Sequence, residues 1–591
     1  MKRLIGVGVG PGDPELVTVK AVRMLREADT VLVPVLPAPD PAHPEPGRAE
    51  TIIRAYVAAD RIRRLEFALN DTGGVTPRRA AAWQAAAAAV AEEFAAGAAT
   101  VAFGTLGDPN LYSTFSYLAQ TVRELVPEVT VETVAGITAM QDLASRAGIS
   151  LAEGTEPVTL VPLNGGAAAL DQALARGGTV VGYKVGAAAS PAPAILRARL
   201  QAAGRLEGAI IGARLGLPDE LIAPAAELLR PPPEAPAPPQ APARNPTPPN
   251  TDIPDIPYLS TLILPALRTS GIGSGLTAHP SETRASAETE VTATPPAAPA
   301  QGAAVAAEGA EPRDESRPMG RVVFVGAGPG APDLLTQRGA QAIATARIVI
   351  WASSLVDQRV LAHAREDAEI VDSAQLPMEG VLPYYERAAR EKLTVARVHS
   401  GDPSLWGAVQ EQLERCEALG LDTEIVPGVS SFTAVAAAIQ RELTIPEVAQ
   451  SVILTRLGGG KTPMPPGERV EEFARHGTTM ALFLSAARSG QLQEELLQGG
   501  YPPDTPCVVA YQVTWPDELI IRTTLGTLAA TIRERKLWKH TLVLVGPALA
   551  TTGSRSHLYH PGHFHGYRKA DRQARKQLRG AAGGAAGQDT T

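Results

Sequence analysis

Apolar positions in this chain gather into short β-rich runs that end in glycine and give way to stretches of helical spacing. RLIGVGVG at 3–10 and RVVFVGAG at 321–328 are two such runs. Helical patterns follow at 16–28 and 334–346, and new apolar runs come after them, TVLVPVL at 30–36 and IVIW at 348–351. Strand, glycine turn, helix and strand in succession predict a βαβ start and an α/β fold with a largely parallel sheet. The segment 78–97, nearly all alanine with Glu92, Glu93 and a terminal Gly97, predicts a helix.

Two stretches interrupt this pattern. Residues 230–257 are proline-rich, which favours extended, solvated chain. Residues 268–319 hold almost no large apolar side chains and cannot offset the entropy of ordering, so they predict a disordered linker. Between them YLSTLILPAL, 258–267, has strand length and composition. The expected organisation is a first unit at 1–267 with an insertion at 230–257, the linker, a second unit at 320–549 and a tail at 550–591.

The two units repeat each other. Gly8 to Thr18 (GVGPGDPELVT) aligns without a gap on Gly326 to Thr336 (GAGPGAPDLLT), with seven identities in eleven positions. Gly107-Asp108-Pro109 recurs as Gly401-Asp402-Pro403, and Val134-Ala-Gly-Ile-Thr138 recurs as Val426-Pro-Gly-Val-Ser430. Three motifs in one order at similar spacing indicate a duplicated unit.

The glycine turns do not fit a dinucleotide fingerprint, because Pro11 and Pro329 interrupt the spacing and IVIWASS carries no acid at its strand end. Glycines there let the backbone turn sharply and approach a ligand closely. Each Gly-Asp-Pro follows an apolar strand, at the carboxyl end where open α/β sheets place ligands. Such a loop offers backbone donors and one carboxylate, suited to a ligand with an adenosine and an ammonium group. Asp108 and Asp402 as caps of the next helix are the simpler alternative.

Composition narrows the classes. With 54 basic and 62 acidic side chains the formal charge is -8, which argues against a nucleic-acid partner. Two cysteines, Cys416 and Cys507, build no disulfide framework and fit a reducing compartment. The start MKRLIGVGVGPGD lacks a secretory pattern, and no apolar stretch approaches the roughly 20 residues of a membrane span, so a cytoplasmic protein with no membrane partner is expected.

The GxGPG opening, the GDP loop and the V-[AP]-G-[IV]-[TS] turn together resemble the tetrapyrrole methylases, over about 500 residues of the chain. TLGDPNLYSTFSYL with VAGITAMQDLASRAG resembles the precorrin-2 carbon-20 methyltransferases. HSGDPSLWGAVQEQL, VPGVSSFTAVAAAI and SHLYHPGHFHGYRKA resemble the precorrin-4 carbon-11 methyltransferases. The resemblance implies two tandem α/β units, each with two lobes and a cofactor cleft between them, using S-adenosylmethionine on small-molecule tetrapyrroles. It places the cofactor against Pro11, Leu106, Gly107, Asp108, Thr138 and Ala139 in the first unit. In the second it implies Pro329, Ser400, Gly401, Asp402, Ser430, Ser431 and Leu484. Ala135, where the second copy has Pro427, relaxes the backbone and puts the geometry of that turn in question. Related enzymes pair, so a homodimer or an intramolecular pseudo-dimer is expected.

Transfer from a sulfonium to an electron-rich ring carbon needs an in-line approach and exclusion of water, with no side-chain nucleophile. No residue identifies itself as a base for carbon 20. A substrate rich in carboxylates calls for cationic side chains, with Lys184, Arg456, Lys461 and Arg488 as candidates and His399 shaping the second cleft. The tail histidines His557, His560, His563 and His565 lack acidic or cysteine partners at ligand spacing, and no metal is expected. Two rival readings are an RNA-modifying methyltransferase, opposed by the net acidity, and a chain with one active and one merely binding half.

Overall fold

A computed structural model of the chain describes residues 1–36, 46–67, 77–187, 190–230, 256–268, 320–445, 448–459, 464–465 and 467–550. Most of the proline-rich segment, the linker after Arg268, Lys461 and the tail histidines lie outside these residues.

The first unit opens with five strands: β1 (Arg3–Gly8), β2 (Thr30–Val35), β3 (Ile62–Glu66), β4 (Thr100–Thr105) and β5 (Thr130–Val134). They form a sheet of order β3-β2-β4-β1-β5 in which every pairing is parallel. β1 and β4 are buried almost throughout, as strands covered on both faces must be. The helix from the alanine-rich segment spans Pro77–Ala95 and stacks Trp83 on Tyr117, ring centroids 4.4 Å apart. The first helix begins later than its apolar pattern. Residues Pro14–Leu16 make a 3-10 turn, and the α-helix starts at Val19 because the Thr18 hydroxyl accepts from Ala21 N at 3.1 Å. Thr336 does the same for the helix Gln337–Thr345.

The second unit repeats this lobe with β11 (Arg321–Gly326), β12 (Ile348–Trp351), β13 (Glu369–Asp372), β14 (Thr394–His399) and β15 (Asp422–Val426), in the matching order β13-β12-β14-β11-β15.

The remaining strands of the two units join. From the first come β6 (Val158–Pro162), β7 (Thr179–Tyr183), β8 (Ile210–Ala213), β9 (Leu221–Pro224) and β10 (Ser260–Leu264). From the second come β16 (Val452–Arg456), β17 (Thr479–Phe483), β18 (Pro506–Tyr511), β19 (Leu519–Thr524) and β20 (Thr541–Val545). They make one ten-stranded sheet, β19-β18-β20-β17-β16-β6-β7-β10-β8-β9, whose halves mirror each other strand for strand. The run at 258–267 supplies β10, which lies between β7 and β8 and antiparallel to both.

The seam is the antiparallel pair β6 and β16, with Thr159 opposite Ile453. A second symmetric contact sits at Thr18 and Thr336, where Val19 N donates to Leu335 O at 2.9 Å and Gln337 N to Val17 O at 3.0 Å. Reciprocal contacts between equivalent segments mark a pseudo-twofold axis. One apolar cluster runs across the seam, with Ile137, Met140 and Leu143 from the first unit against Phe432, Val435 and Leu443 from the second. The units therefore share a core. Both cysteines are buried and free. Among the described residues no helix is long and apolar enough to cross a membrane.

Candidate functional site

In each unit three turns from distant parts of the chain meet at the carboxyl ends of the parallel strands. In the first unit Val9 N donates to Thr105 O at 3.0 Å and Gly107 N to Gly10 O at 2.8 Å. In the second, Ala327 N donates to His399 O at 2.8 Å and Gly401 N to Gly328 O at 2.8 Å. A methyl group on Gly136 would sit 2.3 Å from Gly107 O, and one on Gly428 would sit 2.2 Å from Gly401 O. Gly136 and Gly428 are required by backbone packed on backbone. Gly107 and Gly401 are different. Both take positive φ, +67° and +65°, and a methyl on Gly401 would face open space while one on Gly107 would only reach Ile137 O at 4.0 Å, without a clash.

The aspartates hold the turns together. Asp108 accepts from Asn110 N at 2.8 Å and from Gly136 N at 3.0 Å. Asp402 accepts from Ser404 N at 2.9 Å, from Gly428 N at 3.1 Å and from the Ser404 hydroxyl. Both carboxylates are buried and engaged by protein donors, so the carboxylate expected to face a ligand is turned inward. Burial pushes Asp108 up to about 7, against the pull of its two backbone donors, and raises Asp402 too. The Gly136 and Gly428 bonds are equivalent, so Ala135 in place of proline leaves that turn unchanged.

The other residues singled out in the sequence take these positions. Thr138 and Ser430 are the buried N-caps of helices Ala139–Arg146 and Ser431–Ile439. Pro11 and Leu106 are half-buried, Pro329 is buried and Ser400 is exposed. Leu484 stands at the tip of β17, 69% exposed, with φ +52°. Its counterpart is Lys184 at the tip of β7, with φ +62° and its ammonium 5.5 Å above the Tyr112 ring. Burial lowers the Lys184 pKa, with Arg79 adding to the effect. His399 is half-buried beside Phe324 with its Nε2 out of solvent, and loss of water around the ring together with Arg397 pushes it down to about 3, so it is neutral. Arg488 donates to the carbonyls of Leu457 and Gly458, and Arg456 to Gly154 O.

Several site residues carry no motif that sequence reasoning used. Arg214–Glu220 and Gln512–Glu518 wrap the GxGPG turns: Trp515 Nε1 donates to Pro329 O at 2.7 Å, and a methyl on Gly12 would collide with Leu215 O. The signal was present, since Leu217-Pro-Asp-Glu220 recurs as Trp515-Pro-Asp-Glu518. Each GDP loop also rests on the opposite unit. Leu443 N donates to Asn110 O at 2.9 Å, and Ala152 N donates to Ser404 O at 3.0 Å.

A family model described as tetrapyrrole (corrin/porphyrin) methylases matches residues 3–228 and 321–529. The cobalt-precorrin-4 C(11)-methyltransferase of Methanocaldococcus jannaschii is 40% identical over 254 residues, covering 43% of this chain and 98% of the relative. The precorrin-4 C(11)-methyltransferase of Pseudomonas aeruginosa is 42% identical over 251 residues, covering 42% and 99%. Among solved structures, uroporphyrin-III C-methyl transferase from Thermus thermophilus, complexed with S-adenosylhomocysteine, is 28% identical with a TM-score of 0.34. It covers 39% of this chain and 99% of its own.

Proposed function

Because the chain belongs to the tetrapyrrole (corrin/porphyrin) methylases, with one matched segment in each unit, we propose that it is a two-site C-methyltransferase of corrin-ring assembly. S-adenosylmethionine is the methyl donor at both sites. The first unit methylates carbon 20 of precorrin-2 and the second carbon 11 of precorrin-4. The observation that carries this reading is that both units close the same three turns with equivalent hydrogen bonds, leaving the Gly107 and Gly401 tips uncrowded. A fully intact second copy speaks against one catalytic and one merely binding half.

The side-chain-free, positive-φ tips at Gly107 and Gly401 fit a ligand that lies flat on backbone. Pro11, Leu106, Gly107, Thr138 and Ala139 would hold the donor in the first unit, with Asp108 fixing the loop from behind. Pro329, Ser400, Gly401, Ser430, Ser431 and Leu484 would hold it in the second, with Asp402 in the equivalent place. The donor supplies an electrophilic methyl, and the protein supplies alignment and a dry cleft. Replacing hydrogen by methyl at a ring carbon releases one proton. In the first cleft Tyr183, whose hydroxyl is buried beside Thr138 and the Met140 backbone, and Lys184 are the polar groups at the β7 tip. The second cleft has Phe483 and Leu484 there.

The test is incubation of the full chain with S-adenosylmethionine and, separately, precorrin-2 or precorrin-4, each metal-free and cobalt-loaded. Mass spectrometry should find one added methyl on a substrate of each type. Methyl transfer to neither, or to RNA alone, overturns the reading.

A further inference from the structure

One buried glutamine joins the two clefts. Gln141 lies in the first turn of helix Ala139–Arg146 and has no exposed surface. Within its own unit, its Oε1 accepts from Thr138 N at 3.0 Å and from the Thr138 hydroxyl at 2.9 Å. Toward the other unit, its Nε2 donates to Asp402 Oδ2 at 2.9 Å and to Gly428 O at 2.7 Å. An amide has two donors and one oxygen with two lone pairs, so every capacity is used, half on each unit. The partners fix its orientation, because Thr138 N can only donate and Gly428 O can only accept.

Among the described residues no equivalent bond runs in the other direction. The position matching Gln141 in the second unit is Thr433, whose hydroxyl donates to Ser430 O at 3.0 Å within its own helix. Asp108 is held by donors from its own unit, at Asn110 and Gly136. Asp402 has its own-unit donors and Gln141 besides.

We infer that Gln141 is a positioning residue for the methyl-donor site of the second unit, supplied by the first. Asp402 orients the Gly401 loop and the Gly428 turn, and its buried carboxylate is completed by a side chain that also caps the Thr138 turn. The C-terminal cleft takes its working shape only when the N-terminal unit is docked with that turn formed. The inference rests on the reading of both clefts as donor sites.

Amide hydrogen exchange of the full chain, read by mass spectrometry during titration with S-adenosylhomocysteine, reports the two clefts separately. Peptides covering 103–112 follow the first and peptides covering 397–406 the second. Gln141→Glu keeps the acceptor toward Thr138 and, in its ionised form, replaces the donor toward Asp402 by a like charge. The second-unit midpoint should rise about tenfold, the scale of a hydrogen bond to a charged group, while the first stays within about twofold. Gln141→Met loses both halves, and both midpoints should rise. If Gln141→Glu does not keep the wild-type near-ultraviolet circular dichroism, Gln141→Met decides. A second-unit midpoint within about twofold of wild type in the deciding variant overturns the inference. Absence of protection in both peptides of the wild-type chain overturns instead the donor-site reading beneath it.

Discussion

At the tip of β7 the first unit places Tyr183 and Lys184, where the second, at the tip of β17, places Phe483 and Leu484. Both tips hold a non-glycine residue at positive φ, and both pack the aromatic beneath it on the GDP loop. Tyr183 lies 5.1 Å from Tyr112, and Phe483 lies 4.7 Å from Trp406. The strained backbone is retained while the chemistry set upon it changes from a phenol and an ammonium to two apolar groups. The comparison separates two jobs. Glycines, the aspartate clasps and the strand tips build a common cradle, and the side chains lining it distinguish one cleft from the other.

The strongest way to break the comparison is to break one cradle. Gly428→Val drives a side chain into Gly401 O, and displacement of the turn should cost the second methyl transfer at least about 100-fold while sparing the first. Gly136→Val should cost the first transfer as much and the second less, because the turn it displaces also carries the Thr138 cap of Gln141. Product masses from each substrate check both, and equal loss at both sites would refute separate cradles.

The clasp can be tested by pH. Burial holds Asp108 at about 7, above its ordinary 3.8, so the folded chain keeps this proton more tightly than the unfolded chain. Its contribution is full below about pH 4 and is lost as pH rises through about 7, a change of roughly 4 kcal/mol. Asp108→Asn removes this titration, so the gap in Tm between wild type and variant should change over that window in the direction of relative loss for the wild type. A gap constant with pH contradicts the assignment.

A smaller effect sharpens the difference in chemistry. Lys184→Leu makes the first tip resemble the second and should raise the KM for the tetrapyrrole of the first reaction about tenfold, leaving the second reaction unchanged. Steady-state kinetics on both substrates decides, and an unaltered KM removes Lys184 from substrate binding. The least effect is expected at the rim of the seam, where Arg338 donates to Asp13 at 2.6 Å and to Glu15 at 2.8 Å while partly exposed. Arg338→Ala should cost under about 1 kcal/mol, a Tm shift of about 1–3 °C by calorimetry.

The clefts were legible because their motifs repeat. Gly-Pro-Gly, Gly-Asp-Pro and the Val134 and Val426 turns stand in the same order twice, and glycines at backbone contacts leave a pattern no other residue can mimic. The seam was not legible. VTLVP at β6 and VILTR at β16 are ordinary buried strands, and nothing in either composition says which strand lies beside it. Gln141 was invisible for a related reason, since its partner Asp402 is 261 residues away and a lone glutamine in a helix has no local signature. The inward turn of Asp108 and Asp402 depends on donors at Gly136 and Gly428, which periodicity cannot place.

The covalent tie across the ten-stranded sheet has a consequence for how such a molecule can change. Two identical subunits around a true dyad must write every contact twice, so an alteration at one side appears at the other. Here the Gln141 to Asp402 bond occurs once, with Thr433 free to differ. Joining the partners in one polypeptide also removes mass action from their association, so dilution does not separate them. Fusion thus frees each flank of the axis to specialise without loss of its companion.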